Sequence, residues 1–276
     1  MNLVIQGPSL TEPGAQDVAH LVGSLPERIA DKAYRFGNVE KNEAIASWCE
    51  ERRIDYAFMP EGRRFAGLKL LAMDMDSTLI TIECIDELGA LAGKKAEVAA
   101  VTAQAMRGEI DYPESLRRRV RAIAGLPETA LSEVYEKRLR LTEGAEILLS
   151  KCRESGVRLL LVSGGFTFFT ERLKARLGID YTISNTLEVG DGKLTGALLG
   201  PIVDADAKAR KFLDVMKSLE ASKEHTVAIG DGANDLKMMA EAGTSVAFRA
   251  KPVVRAQASC AINWCGLDAV VNLFEG

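Results

Sequence analysis

Short, near-continuous apolar runs recur along the chain at residues 68–73, 158–162, 225–229, 245–248 and 261–264. Runs of this length, bounded by polar or glycine-rich turns, predict parallel strands buried on both faces. Residues 181–185 read as a further strand, and 187–199 as a hairpin turning at Gly190-Asp191-Gly192. Between these runs, apolar residues spaced three and four apart predict helices over 142–156, 205–219, 236–242, 252–258 and 267–274, and another from about Thr167. Thr142 reads as the N-cap of the first of them and Gly156 as its stop. Strand–helix alternation predicts an α/β fold, a doubly wound and mostly parallel sheet.

The alternation breaks in two places. Residues 81–142 carry helical periodicity alone, in segments 82–92, 95–107, 112–124 and 128–141 parted by Gly93, Gly108 and Gly125-Leu126-Pro127. Inserted directly after a strand, they predict a four-helix cap over its carboxyl end, the kind of lid that excludes water and selects substrates. Residues 67–80 and 143–276 are then the core. Residues 1–66 predict a small α/β module: strand 3–6, helix 16–25 stopped by Pro26, helix 42–53, strand 56–59, then a linker at Pro60, Gly62 and Gly67. It carries no chemical signature, and its expected role is packing, homodimer contact or regulation. Trp48, Cys49 and Tyr56 are expected in its core.

Composition narrows the class. Of 276 residues 47% are apolar, enough for a sizeable core and against disorder. The net charge of −4 argues against nucleic acid as a partner. Five cysteines without a C-x-x-C pair argue against a disulfide framework or structural zinc and fit a reducing, cytoplasmic setting. Two distant histidines argue against a histidine metal centre. The first residues lack the pattern of a signal peptide, and no apolar run suits a membrane.

The chemistry gathers at strand ends. The run L-L-A-M-D-M-D-S-T at 70–78 puts Asp74 and Asp76 two apart, on one side of an extended chain. Two carboxylates closing an apolar run call for a cation between them, and a hard divalent ion such as magnesium meets that demand. Ser163-Gly164-Gly165 stands between a strand and a helix, a pattern that cradles phosphate. Lys208 falls in the first turn of a helix, where the dipole prefers anions. Gly230-Asp231-Gly232-Ala233-Asn234-Asp235 supplies a second acidic pair, Asp231 and Asp235. In a parallel sheet these ends face one crevice, and the inventory suits magnesium-assisted phosphoryl transfer. Glu83 is placed to face the same crevice. One arginine of Arg117, Arg118, Arg119 and Arg121 is a candidate to grip a carboxylate there, with no choice among them from the pattern.

D-M-D-S-T, S-G-G, a lone lysine and G-D-G-A-N-D, in that order with a helical insertion after the first, resemble the haloacid dehalogenase superfamily. Residues 74–86, 105–120, 162–166 and 227–235 are similar to its phosphoserine phosphatase family, from about Leu68 to the C-terminus. The resemblance implies hydrolysis of O-phospho-L-serine, the last step of serine biosynthesis, through an aspartyl-phosphate with magnesium (Mg2+) as cofactor. It implies Asp74 as nucleophile and metal ligand, Asp76 as general acid/base with its carbonyl on the metal, Asp231 as third ligand and Asp235 behind them. Ser163, Gly164, Lys208 and Asn234 would hold the phosphoryl group. Glu83 would meet the substrate ammonium and Arg119 its carboxylate, with Met106 and Tyr112 as walls. Some family members have phenylalanine where Tyr112 stands. Other readings are a phosphatase or phosphotransferase for another small phosphomonoester, and a phospho-accepting signalling module. The cap and Asp76 argue against the last.

Overall fold

A computed structural model describes all 276 residues. The chain begins with β1 (Asn2–Gln6), α1 (Glu12–Val22), β2 (Glu27–Ala30), β3 (Ala33–Phe36), α2 (Glu43–Glu51) and β4 (Asp55–Met59), whose strands form an antiparallel sheet ordered β2-β3-β1-β4. Then come β5 (Leu70–Asp74), α3 (Cys84–Leu91), α4 (Lys95–Met106), α5 (Tyr112–Ala122), α6 (Thr129–Glu133), α7 (Ala145–Glu154), β6 (Arg158–Phe166), α8 (Thr167–Leu177), β7 (Tyr181–Gly190) and β8 (Lys193–Leu199). The chain ends with α9 (Ala205–Ser218), β9 (Thr226–Gly230), α10 (Leu236–Glu241), β10 (Thr244–Phe248), α11 (Pro252–Arg255) and β11 (Cys260–Ile262).

The larger sheet runs β11-β10-β9-β5-β6-β7-β8, parallel except for the final hairpin strand. Its central strands are buried on both sides, as their unbroken apolar runs require. In β5, Leu70 and Ala72 face α9, α10 and α11, packing with Phe212, Met238 and Val254, while Leu71 and Met73 face Leu148, Phe169 and Val270 on the other side. Each such leucine contributes about 2 kcal/mol by leaving water. From β5 the chain proceeds outward through β6, then returns to lay β9 on the opposite flank. The strand order therefore reverses between β5 and β9, and a crevice opens above their carboxyl ends.

Helices α3 to α6 cover that crevice. At their base, Thr81 N–H donates to Arg140 O (3.0 Å) and Thr142 N–H to Leu79 O (3.0 Å). At their far edge the β7–β8 hairpin holds them: Gly125 N–H donates to Leu194 O (2.8 Å), Leu194 N–H to Leu126 O (2.8 Å) and Glu128 N–H to Gly192 O (2.9 Å).

Several expected boundaries shift. Helix α1 starts earlier, at a Thr11 cap that accepts from Gly14 N–H, and stops at Gly23 (φ 68°) rather than at Pro26. The β2–β3 hairpin was not expected from the sequence, because E-R-I-A and A-Y-R-F are only four residues each, with little alternation. Thr142 does not cap α7. Its hydroxyl donates to Thr78 O (2.6 Å), and the helix begins after Gly144, which takes the left-handed φ of 77°. The expected helix over 128–141 is broken: α6 ends at Glu133 and the chain finishes in a wider turn over Val134–Arg138. Residues 267–273 wind as a tighter 3-10 helix, and α11 has only four residues.

The small sheet closes its own apolar cluster, including Leu3, Ile5, Phe36, Ile45 and Cys49, with Trp48 and Tyr56 packed at its edge. Alternate residues of β4, Ala57 and Met59, pack instead into the main core. Asp55, 2% exposed, joins the two: its carboxylate accepts Asn263 N–H (2.7 Å), Trp264 N–H (3.1 Å) and Cys265 N–H (3.0 Å). Gln6 and Arg35 add bonds to Ala269 O and Phe274 O (3.1 and 2.6 Å). No helix is long and apolar enough to cross a membrane. Asp55→Ala strands these three backbone donors, so it is expected to cost about 3 kcal/mol of stability, read by urea unfolding. An unchanged midpoint would show that the junction does not depend on this carboxylate.

Candidate active site

Asp74 closes β5, and Asp231 follows the neighbouring β9, so both stand at the strand-order reversal. Lys208, on α9, reaches them from below. Its Nζ donates to Asp74 Oδ1 and to Asp235 Oδ1, each at 2.8 Å, and the residue is 0% exposed. An ammonium so placed persists only with matched negative charge. Burial works against its protonated form, but Asp235 and Asp74 outweigh that, and its pKa is raised. Asp235 spends its other oxygen on Gly232 N–H (3.1 Å), and a Cβ on Gly230 would strike its carboxylate.

Asp76 lies in the turn after β5. Its Oδ1 accepts Cys84 N–H (2.9 Å), and its Oδ2 accepts the Ser163 hydroxyl (3.4 Å). Burial first, then the Glu83 charge, pushes its pKa up to about 7. That leaves a carboxyl able to hold or release a proton near neutrality. The turn forces Ser77 into the left-handed region (φ 57°), where a non-glycine residue is strained. The Ser77 hydroxyl donates to Glu83 Oε1 (2.7 Å), which fixes the carboxylate at the head of α3.

Ser163, Gly164 and Gly165 were expected in a loop before a helix. Instead β6 continues through Phe166, and its register with β7 breaks between Val162 and Phe166. The break frees this backbone from the sheet. The Ser163 hydroxyl accepts Gly165 N–H (2.8 Å). The Gly164 carbonyl accepts Asn185 Nδ2 (2.8 Å) and the Tyr112 hydroxyl (3.1 Å). A Cβ on Gly164 would collide with that hydroxyl, and one on Gly165 would meet Asp76 Oδ2.

From the cap, Glu83, Met106, Tyr112 and Arg119 line the same cleft, of about 610 Å³, as Asp74, Asp76, Gly164, Asp231 and Asn234. Of the four arginines only Arg119 lines the cleft, its Nε on Ser115 O (3.4 Å); Arg118 pairs with Glu114 outside (2.7 Å), and Arg117 and Arg121 are exposed. Met106 stands at the rim, 65% exposed, less a wall than an edge. Tyr112 reaches core as well as cleft, through its bond to Gly164. Two residues were missed. Asn185 positions Gly164, and Lys251 lines the cleft with its N–H on Asp231 O (3.2 Å). Lys251 follows β10 at the same sheet edge as the others, and the strand-end rule applied there would have found it. A larger cleft, about 820 Å³, lies between β4 and α11, but its one buried carboxylate, Asp55, is consumed by backbone donors.

Carboxylate oxygens of Asp74, Asp231 and Asp235 lie within 4.8 Å of one another. Burial, then the charge of Asp235, raises the pKa of Asp74 and takes that of Asp231 to about 6. Lys208 answers only part of this negative charge. The all-oxygen donor set suits a hard divalent cation. With both Asp235 oxygens engaged, Asp74 and Asp231 are the carboxylates free to hold it.

A family model for haloacid dehalogenase-like hydrolases matches residues 71–240. Over 217 residues the chain is 54% identical to a phosphoserine phosphatase of Polaromonas sp. strain JS666, across 77% of this chain and 92% of the other. Among solved structures, a HAD family hydrolase from Salmonella enterica serovar Typhi superposes with a TM-score of 0.90 at 31% identity, over 99% of this chain and 98% of that one. A substrate-bound phosphoserine phosphatase complex superposes with a TM-score of 0.71 at 37% identity, over 75% and 99%. The chain belongs to the haloacid dehalogenase-like hydrolases. Within that class its family is that of the phosphoserine phosphatases, which are phosphoric monoester hydrolases.

Asp76 and Asp231 bind protons more tightly folded than unfolded, so on their account the metal-free protein is most favoured below about pH 4 and loses stability as pH rises to about 7. A divalent cation at Asp231 needs that carboxyl ionised and reverses its part of the trend. The melting-temperature gain on adding magnesium to chelator-treated protein is therefore expected to be near zero at about pH 5 and several degrees at about pH 7.5. A gain independent of pH would remove Asp231 from the cation site.

Proposed function

We propose that this enzyme hydrolyses O-phospho-L-serine to L-serine and phosphate through a phosphorylated Asp74, with magnesium as its cation. One observation carries the substrate reading: the paired carboxylates Asp74 and Asp76 share a small cleft with a carboxylate, Glu83, and a guanidinium, Arg119, that makes no ion pair. A phosphate monoester with an ammonium and a carboxylate at its other end matches that order of charges.

Asp74 is the nucleophile. Its carboxylate oxygen forms a bond to phosphorus as the bond from phosphorus to the serine oxygen breaks. Asp76 in its protonated form, available near neutral pH, gives its proton to the departing oxygen and so becomes a carboxylate. It then takes a proton from water as the water oxygen attacks phosphorus. Phosphate leaves, and both aspartates return to their starting forms. Lys208 and the Ser163 hydroxyl hold the equatorial oxygens as their charge shifts, beside the open backbone at Gly164 and with Asn234 near them. Lys208 also orients Asp74, since the same ammonium is fixed by Asp235. Asp74, the Asp76 carbonyl and Asp231 would hold magnesium, which would supply the positive charge that offsets repulsion between a dianionic ester and an anionic nucleophile, roughly 4 kcal/mol per charge pair at ~4 Å. Glu83 takes the substrate ammonium and Arg119 its carboxylate.

Asp74→Asn is expected to abolish turnover while leaving the melting temperature near that of the parent, measured by phosphate release. Steady-state activity in pure variant would contradict the nucleophile. Arg119→Ala is expected to lower kcat/KM for phosphoserine by about hundredfold, as loss of a paired charge does. Hydrolysis of an aryl phosphate without a carboxylate should be unchanged. Equal losses on both would take Arg119 off the substrate.

A further inference from the structure

Among buried side-chain polar atoms, only the Ser115 hydroxyl lacks a hydrogen-bond partner. Ser115 is 1% exposed and lies on α5, where Tyr112, Ser115, Leu116 and Arg119 all line the cleft. Offsets of three, four and seven residues place them on one helix face. A helical serine commonly turns its hydroxyl back onto the carbonyl four residues earlier. Here the Asp111 carbonyl takes Ser115 N–H (3.0 Å), and the hydroxyl makes no bond to it. An unpaired buried hydroxyl is unfavourable where a methyl group is not. Folding alone thus gives no reason for serine at this place.

We propose that Ser115 determines specificity: its hydroxyl donates to the substrate carboxylate gripped by Arg119, one helical turn away. The inference rests on the reading of Glu83 and Arg119 above. A guanidinium has only donors, so it and the hydroxyl are satisfied together by one group rich in lone pairs, and a carboxylate is that group. The substrate ammonium is excluded from this place by the Arg119 charge, and it has its own partner in Glu83, which Ser77 holds.

The test is Ser115→Ala, assayed on O-phosphoserine and on O-phosphoethanolamine, which keeps phosphate and ammonium and lacks the carboxylate. For phosphoserine, KM is expected to rise by about tenfold with kcat within about twofold, the effect of deleting one hydrogen bond to a charged group. Both constants for phosphoethanolamine should stay as in the parent. The ligand-free variant should melt at or above the parent temperature, because it no longer buries an unpaired hydroxyl. Equal losses on both substrates, an unchanged KM for phosphoserine, or a destabilised ligand-free variant would each overturn the assignment. A parent enzyme inactive on phosphoserine would instead overturn the substrate reading, before Ser115 is touched.

Discussion

The Lys208 ammonium lies sealed from water between Asp74 and Asp235, and the acidic site is built outward from it. Asp74, Asp76, Asp231, Asp235 and Glu83 converge on one cleft, each desolvated in part or whole. Without compensation every close pair would repel by several kcal/mol, roughly 4 at ~4 Å and an effective dielectric of 20. One buried cation offsets part of that repulsion and locks Asp74 in a single direction. The remainder is the unmet demand that makes the cleft a cation site. The position of α9, the adjacency of β5 and β9, and the close approach of Gly230 to Asp235 all serve that one contact.

Chemistry and recognition come from different parts of the chain. Phosphoryl transfer is assigned to side chains at strand ends, where the sheet fixes backbone positions tightly. Discrimination is assigned to the cap: Glu83 at the head of α3 and the inner face of α5. Within the cleft the two halves are joined by the bonds of Ser77 to Glu83, Cys84 to Asp76 and Tyr112 to Gly164. Each runs directly to a group in the cleft, so the cleft-facing cap residues are placed with reference to the strand ends.

The central sheet was legible because burial on both faces leaves an unmistakable apolar run, as in L-L-A-M-D and R-L-L-L-V. The strand-end rule then brought Asp74, Asp76, Lys208, Asp231 and Asp235 together without coordinates. Arg119 could not be separated from its neighbours by pattern, since four arginines within five positions give no periodic contrast; the docking of α5 does that. The resemblance to a family singled out Arg119, which periodicity could not. Thr142 was misread because a threonine three residues before a helix looks like a cap whatever its hydroxyl contacts. The β2–β3 hairpin was invisible because both strands are only four residues long and β2, at the sheet edge, needs little apolar character. Asn185 and Ser115 carry no local signal: one acts on a distant carbonyl, and the other is conspicuous only for a bond it does not make.

The clasp between the β7–β8 hairpin and the loop around Gly125-Leu126-Pro127 has a mechanical consequence. Helices anchored only at their base would swing like a door, one torsional freedom carrying the whole panel. Three backbone bonds at the opposite margin turn the door into a bridge with two abutments. Tilting it as one piece would shear those bonds together. Its compliance is therefore concentrated in the unsupported span, where α4 ends at the exposed Met106 and Gly108 follows with a left-handed φ of 74°.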